Sequence, residues 1–215
     1  MDLNTIFHNA LENFYSQFHP NELAYLALTS KPEGHLRDAI AYYVHNQLQN
    51  NEAISTREWK RTNFAIIKDQ TPLLICEFKC NYTFDCVDNN RVGVLYGEYV
   101  IKDLKKSTFY AEEDTKIYAC LFLVHPKARV HAKYFGCVKY EYGINKALYK
   151  YSADEIYKMT VTNMNTYFSR WNLIPSFKVV QAGSAFDIDV EIVQLLIGPL
   201  NKHEVVNLSD NSKMS

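Results

Sequence analysis

A mixed α/β fold, a sheet with helices against its faces, is the class this sequence predicts. Three observations point there. Two apolar, strand-like runs at residues 63–67 and 73–79 flank a short polar connection, which suits an antiparallel hairpin. Segments with apolar residues at helical spacing precede and follow that hairpin. A later run, residues 117–124, is almost wholly apolar, as in a strand covered on both faces. The order helix, two or three antiparallel strands, helix, strand then describes a sheet with covered faces.

The elements follow in order. Residues 4–18 predict an amphipathic helix with Ile6, Leu11, Phe14 and Phe18 on or near one face, and residues 23–28 a second, short one. Thr29, Ser30, Lys31, Pro32 and Glu33 open a third helix: a hydroxyl can cap it, Pro32 suits its first turn, and Glu33 complements the positive end of the dipole. Leu36, Ile40, Tyr43, Val44 and Leu48 continue it, with Glu33 on the face of Leu36 and Ile40. The alternative for Glu33 is a first-turn acid paired with Arg37. After a polar stretch at 49–52, residues 53–59 begin a strand and the hairpin follows. Val92, Leu95, Tyr96, Tyr99, Val100 and Leu104 mark a helix ending near Lys105 and Lys106. The strand at 117–124 is broken at His125 and Pro126. Ser152 and Glu155 form a capping box opening a long helix to Trp171, and residues 186–197 read as a strand stopped by Gly198 and Pro199.

With 215 residues, 47% hydrophobic, and few glycines and prolines, the chain suits one domain with a sizeable core, over residues 1–206, followed by a polar, mobile tail at 207–215. Net charge is −1 and the isoelectric point about 6.6, which excludes a globally basic protein and makes any nucleic-acid surface local. The cysteines, Cys76, Cys80, Cys86, Cys120 and Cys137, show no CxxC spacing, so buried free thiols in a reducing compartment are expected rather than zinc or disulfides. The N-terminus lacks the basic and apolar regions of a signal peptide, and no apolar run reaches the length of a membrane span. A cytoplasmic protein without membrane contact is the expectation.

Glu77 and Lys79 lie two residues apart on a strand, so both side chains face one side of the sheet. Taken alone, such a pair is an ordinary surface ion pair. Here it ends an apolar strand whose hairpin partner brings position 63 close. A carboxylate and an ammonium so placed can hold a divalent metal and a phosphate together. Glu77 is then a metal ligand, Lys79 orients or deprotonates water and contacts phosphate, the backbone carbonyl of Cys76 is a further ligand, and Glu33 enters from its helix.

Lys31, Pro32 and Glu33 opening a helix, then Glu58, Trp59, Arg61 and Asn63 leading into an apolar strand, then Glu77, Phe78 and Lys79, together resemble the PD-(D/E)xK nuclease superfamily, which includes restriction endonucleases and bacterial defence nucleases. The resemblance covers residues 30–125. It implies a restriction-endonuclease-like core, with the last helix and strand added to it, and a Mg²⁺- or Mn²⁺-dependent DNA endonuclease. By it, Glu33 matches the helix acid, Asn63 the first strand acid, Glu77 the second, and Lys79 the catalytic lysine. Glu77, Asn63, Glu33 and the Cys76 carbonyl are the implied metal set. The departure is Asn63, where aspartate is the rule: one neutral carbonyl oxygen replaces an anion. Three readings stay open: an introduced inactivating change, a relative that binds without cutting, or a neutral ligand beside Glu33 and Glu77. The alternative functions are a nuclease-dead nucleic-acid-binding or regulatory protein and an interaction subunit of a defence complex.

Residues 125–150 carry Lys127, Arg129, Lys133, Lys139, Lys146 and Lys150 against one acid, Glu141, a local excess of five positive charges, with tyrosines and Phe135 interleaved. Lys102, Lys105 and Lys106 suggest a second basic edge. Arg61, Lys127, Arg129, Lys133 and Lys139 are the expected nucleic-acid contacts, with DNA the expected partner. The bland reading of the segment is a solvated face with tyrosines packing inward. A homodimer or a partner defence protein completes the expectations, since two antiparallel DNA strands present related phosphates.

Overall fold

Asp69 and Gln70 set the register of the sheet. Both adopt positive φ (50° and 64°), the conformation of a two-residue hairpin turn whose twist matches its strands. They join β2 (Phe64–Lys68) to β3 (Thr71–Tyr82), antiparallel, with Phe64 opposite Cys76. The turn is tighter than the sequence suggests, and Thr71 and Pro72 belong to the strand. The computed structural model describes residues 2–48, 52–87 and 91–209. Most of the polar stretch expected at 49–52, the side chain of Val92, and the tail beyond residue 209 lie outside the described residues.

β1 (Ile54–Arg57) pairs antiparallel with β2, and β4 (Lys116–Pro126) lies parallel to β3. A parallel pair needs a crossover, supplied here by α4 (Arg91–Ser107). β5 (Ser176–Ala185) and β6 (Ile188–Leu200) form a second hairpin, turned at Phe186 and Asp187 with φ of 54° and 59°, and β6 pairs antiparallel with β4. The six-stranded mixed sheet has the order β1-β2-β3-β4-β6-β5.

Alternation along the strands divides the core in two. Phe64, Cys76, Phe78, Tyr118 and Phe122 face α1 (Leu3–Asn13), α2 (Glu22–Thr29) and α3 (Glu33–Gln47). Ala65, Ile75, Leu121, Leu123 and Val193 face α4, α6 (Ala153–Ser169) and α7 (Lys202–Val206). The capping box at Ser152 and Glu155 forms as the sequence indicates. Phe122 is fully buried, stacked on Phe78 and edge-on to Phe14, both at 5.7 Å between centroids. Phe122→Ala is therefore expected to cost about 3–5 kcal/mol in urea unfolding; a loss below about 1 kcal/mol would mean this layer is not packed as described.

Several expectations need correction. The first helix stops at Asn13 and gives way to a 3-10 turn, Phe14–Gln17. β4 continues through His125 and Pro126, because the ladder to β6 extends to Val190, and β6 runs past Gly198 and Pro199 to pair Leu200 with Ile117. β5 and a helix in the basic segment, α5 (Glu141–Lys150), are additional to the sequence reading. Four cysteines are buried as expected, but Cys137 is exposed. No described helix is long and apolar enough to cross a membrane.

Candidate functional site

β3 outruns its partner. β2 begins at Phe64, opposite Cys76, while β3 continues six residues to Tyr82. Past Cys76, the edge on the β2 side would expose unpaired N–H groups. Two predicted site residues fill this edge. Asn63 accepts the N–H of Phe78 on Oδ1 at 2.9 Å, and Glu33 accepts the N–H of Cys80 on Oε2 at 3.0 Å. Glu33 thus reaches the sheet rather than pairing with Arg37, which contacts Asp38 and Glu58 instead.

Glu77 and Lys79 project toward α4. Glu77 is 3% exposed; its carboxylate accepts from the Asn63 N–H at 3.4 Å and from the Ser107 hydroxyl at 3.3 Å. Burial pushes its pKa up to about 7, and the charge of Asp103 adds to the rise, while Lys106, the Asn63 N–H and Lys79 oppose it. Lys79 pairs with Asp103 at 2.6 Å, their side chains 29% and 19% exposed. Burial works against the charge on Lys79, but Asp103, Glu33 and Glu77 outweigh it and raise its pKa. The Glu33 pKa is also raised, by burial, against the pull of Lys79 and the Cys80 N–H.

All four residues predicted from sequence therefore gather around residues 77–80 of β3. Three more join them: Asp103, Lys106 and Ser107, from the last turns of α4. Lys106 also donates to the Arg61 carbonyl at 2.9 Å, tying α4 to the segment before β2. The sequence carried a signal for Asp103. It stands three residues after buried Val100 and four before buried Ser107, an acid on the covered face of an amphipathic helix. Toward the end of β3 the surroundings stay polar. Lys31 lies over the Tyr96 ring at 5.9 Å, and Asp85 is raised to about 6 by burial against the charge of Lys31.

The arrangement does not, as it stands, fit a hard divalent cation. Such an ion takes oxygen ligands, normally with carboxylates among them. Among the described residues no three His, Cys, Asp or Glu side chains form a metal-holding group. The one acceptor oxygen of Asn63 already takes the Phe78 N–H, and one Glu33 oxygen takes that of Cys80. The neighbouring acid Asp103 is bound to Lys79. Cys76 is paired with Phe64 and Tyr118 within the sheet, so its carbonyl belongs to the ladder. What the centre offers is a buried, readily protonated carboxyl, Glu77, beside a half-buried ammonium, Lys79, that Asp103 holds at 2.6 Å.

The predicted nucleic-acid residues disperse. Lys127 is held by Glu191 at 3.3 Å and Asp154 at 3.5 Å, and Lys133 by Asp187 at 2.8 Å, so both are neutralised locally. Lys139 lies over the Tyr140 ring at 5.2 Å. Arg61 is exposed beside the start of β2, and Arg129 is exposed beside α5. No protein-family profile, curated protein or solved structure matches the chain.

Proposed function

We propose that the chain is a nucleic-acid-binding protein built on a restriction-endonuclease-like core, with a phosphodiesterase centre that does not cut as it stands. The observation that carries this reading is the convergence of Glu33, Asn63, Glu77 and Lys79 on four consecutive residues of one strand. The order helix, three antiparallel strands, helix, strand over residues 33–126 supports it, since that order is what the sequence resemblance implies. An isolated surface ion pair would not bury its glutamate or raise it to about 7.

Asn63 is the element that silences the centre. It supplies shape without charge and spends its acceptor on the backbone of Phe78. Mg²⁺ or Mn²⁺ belongs to this reading only once position 63 is acidic. Glu77 and the new carboxylate would then hold it, and the ion would supply an activated water and phosphate neutralisation. Lys79, paired with Asp103 at 2.6 Å, would serve phosphate by exchanging that partner for a phosphate oxygen. The test is DNA cleavage by Asn63→Asp with Mg²⁺ or Mn²⁺, against the unchanged chain and against Asn63→Asp with Lys79→Ala. DNA is the proposed partner, with RNA substrates in the same assay as the control.

A further inference from the structure

We propose that one face of α5, with the loop at Arg129, is a track for a single strand of DNA. This inference rests on the nucleic-acid reading above. Tyr142 and Tyr149 are 77% and 83% exposed. Seven residues apart, they sit on one face of the helix, about 10 Å apart along its axis. Lys146 stands between them on the same face. Arg129 is brought alongside by a clamp: Asn145 accepts the Val130 N–H on Oδ1 at 2.6 Å and donates Nδ2 to the Val130 carbonyl at 3.1 Å. Arg129, Val130, Tyr142, Asn145, Lys146 and Tyr149 line a groove of about 410 Å³.

Charge selects the occupant. Lys127 and Lys133 are neutralised by acids from distant parts of the chain, whereas Arg129 and Lys146 form no ion pair among the described residues. The groove therefore presents unpaired cations beside open aromatic faces. Cations suit phosphates, and a ring stacks only on a base whose face is free, which a duplex does not offer. The track also has a direction. A second groove of about 380 Å³ lies on the other side of Tyr142 and Lys146 and reaches Phe84 and Asp85. Gly143 allows this closeness, because a Cβ there would stand 2.7 Å from the Phe84 ring. Asp85 in turn lies within the field of Lys31, which stands over the Tyr96 ring at 5.9 Å toward the end of β3.

Fluorescence anisotropy with labelled oligo(dT) tests this, with a duplex of equal length, oligo(rU) and polyglutamate as competitors. Tyr142→Ala and Tyr149→Ala are each expected to weaken oligo(dT) binding about tenfold. Lys146→Ala should lower the slope of log affinity against log salt by about 0.7. All three positions are exposed, so circular dichroism should show an intact fold. Loss of oligo(dT) binding in the tyrosine variants supports the track whether or not Asn63→Asp cuts DNA. Affinity unchanged by both tyrosine variants, or stronger competition by duplex, oligo(rU) or polyglutamate, overturns the track, and the cleavage assay still decides the centre separately.

Discussion

Asn63→Asp is expected to nick or cut DNA with Mg²⁺ or Mn²⁺ at least about a hundredfold faster than the unchanged protein. The reason is local. Asparagine and aspartate are nearly isosteric, so one carboxylate oxygen can keep the Phe78 N–H bond that Asn63 now makes at 2.9 Å. The second oxygen then adds a negative charge next to Glu77, whose carboxylate accepts the backbone N–H of residue 63 at 3.4 Å. Two carboxylates in that space repel without a cation, so the variant should be less stable than the parent in EDTA and regain stability with Mn²⁺. Adding Lys79→Ala should return cleavage to background, because in this reading Lys79 exchanges its pairing with Asp103 for a contact with phosphate. A folded Asn63→Asp protein that cuts neither DNA nor RNA with either ion would sink the nuclease-like reading.

The second large effect is on stability. Burial raises Glu77 from 4.5 to about 7, so the folded chain holds that proton more tightly than the unfolded chain. Stability therefore falls as pH rises through this window, and the full penalty, on the order of 3 kcal/mol, applies above about pH 7. Glu77→Gln removes the charge and keeps an oxygen to accept from Ser107. The variant should match the parent near pH 4 and exceed it by about 3 kcal/mol at pH 8 in urea unfolding. The difference between the two proteins is what must be read, because other groups titrate nearby. Asp85, raised to about 6, has the same sign as Glu77. His125 has the opposite sign: burial lowers it from 6.5 to about 4, so its contribution is lost as pH falls through that range. A pH-independent difference between Glu77→Gln and the parent would mean that Glu77 is not buried as described. A carboxylate that costs stability at neutral pH is better explained by a task at the site than by the fold.

Much of this arrangement was legible because it is local in sequence. The hairpin and the capping box at Ser152 each follow from a few adjacent residues. α3 starts at Glu33 as its local residues suggest, but Pro32 sits at its N-cap and no hydroxyl caps it: Thr29 and Ser30 bond back to Tyr25 and Leu26 of α2. The less legible elements lack such signals. α5 buries little beyond Ile144 and Ala147 and opens at Tyr140 with φ of 60° and no side-chain cap, so neither periodicity nor capping marks it. β5 is an edge strand with only Val180 and Ala182 buried, which blurs its alternation. β3 reads as ending at Lys79 because Cys80, Asn81 and Tyr82 look mixed, yet the parallel ladder to β4 carries it to Tyr82.

The site shows the same division. Glu33, Asn63, Glu77 and Lys79 could be named from motif and spacing. Asp103 was hidden among the lysines ending α4, although its helical position pointed inward. The neutralisation of Lys127 and Lys133 depends on Glu191 and Asp187, more than fifty residues later, which no local pattern reveals. That long-range pairing takes Lys127 and Lys133 out of the candidate basic surface and leaves the predicted Arg129, with Lys146 beside it, lining the groove at α5.

The proposed function turns on the charge missing at position 63, the second carboxylate that a metal beside Glu77 would need. Calorimetric titration with Mn²⁺ tests it most directly. The unchanged protein is expected to show no saturable binding, Asn63→Asp to bind one ion, and Asn63→Asp with Glu77→Gln to lose it. Saturable binding by the unchanged protein as tight as that of Asn63→Asp, and abolished by Glu77→Gln, would contradict it.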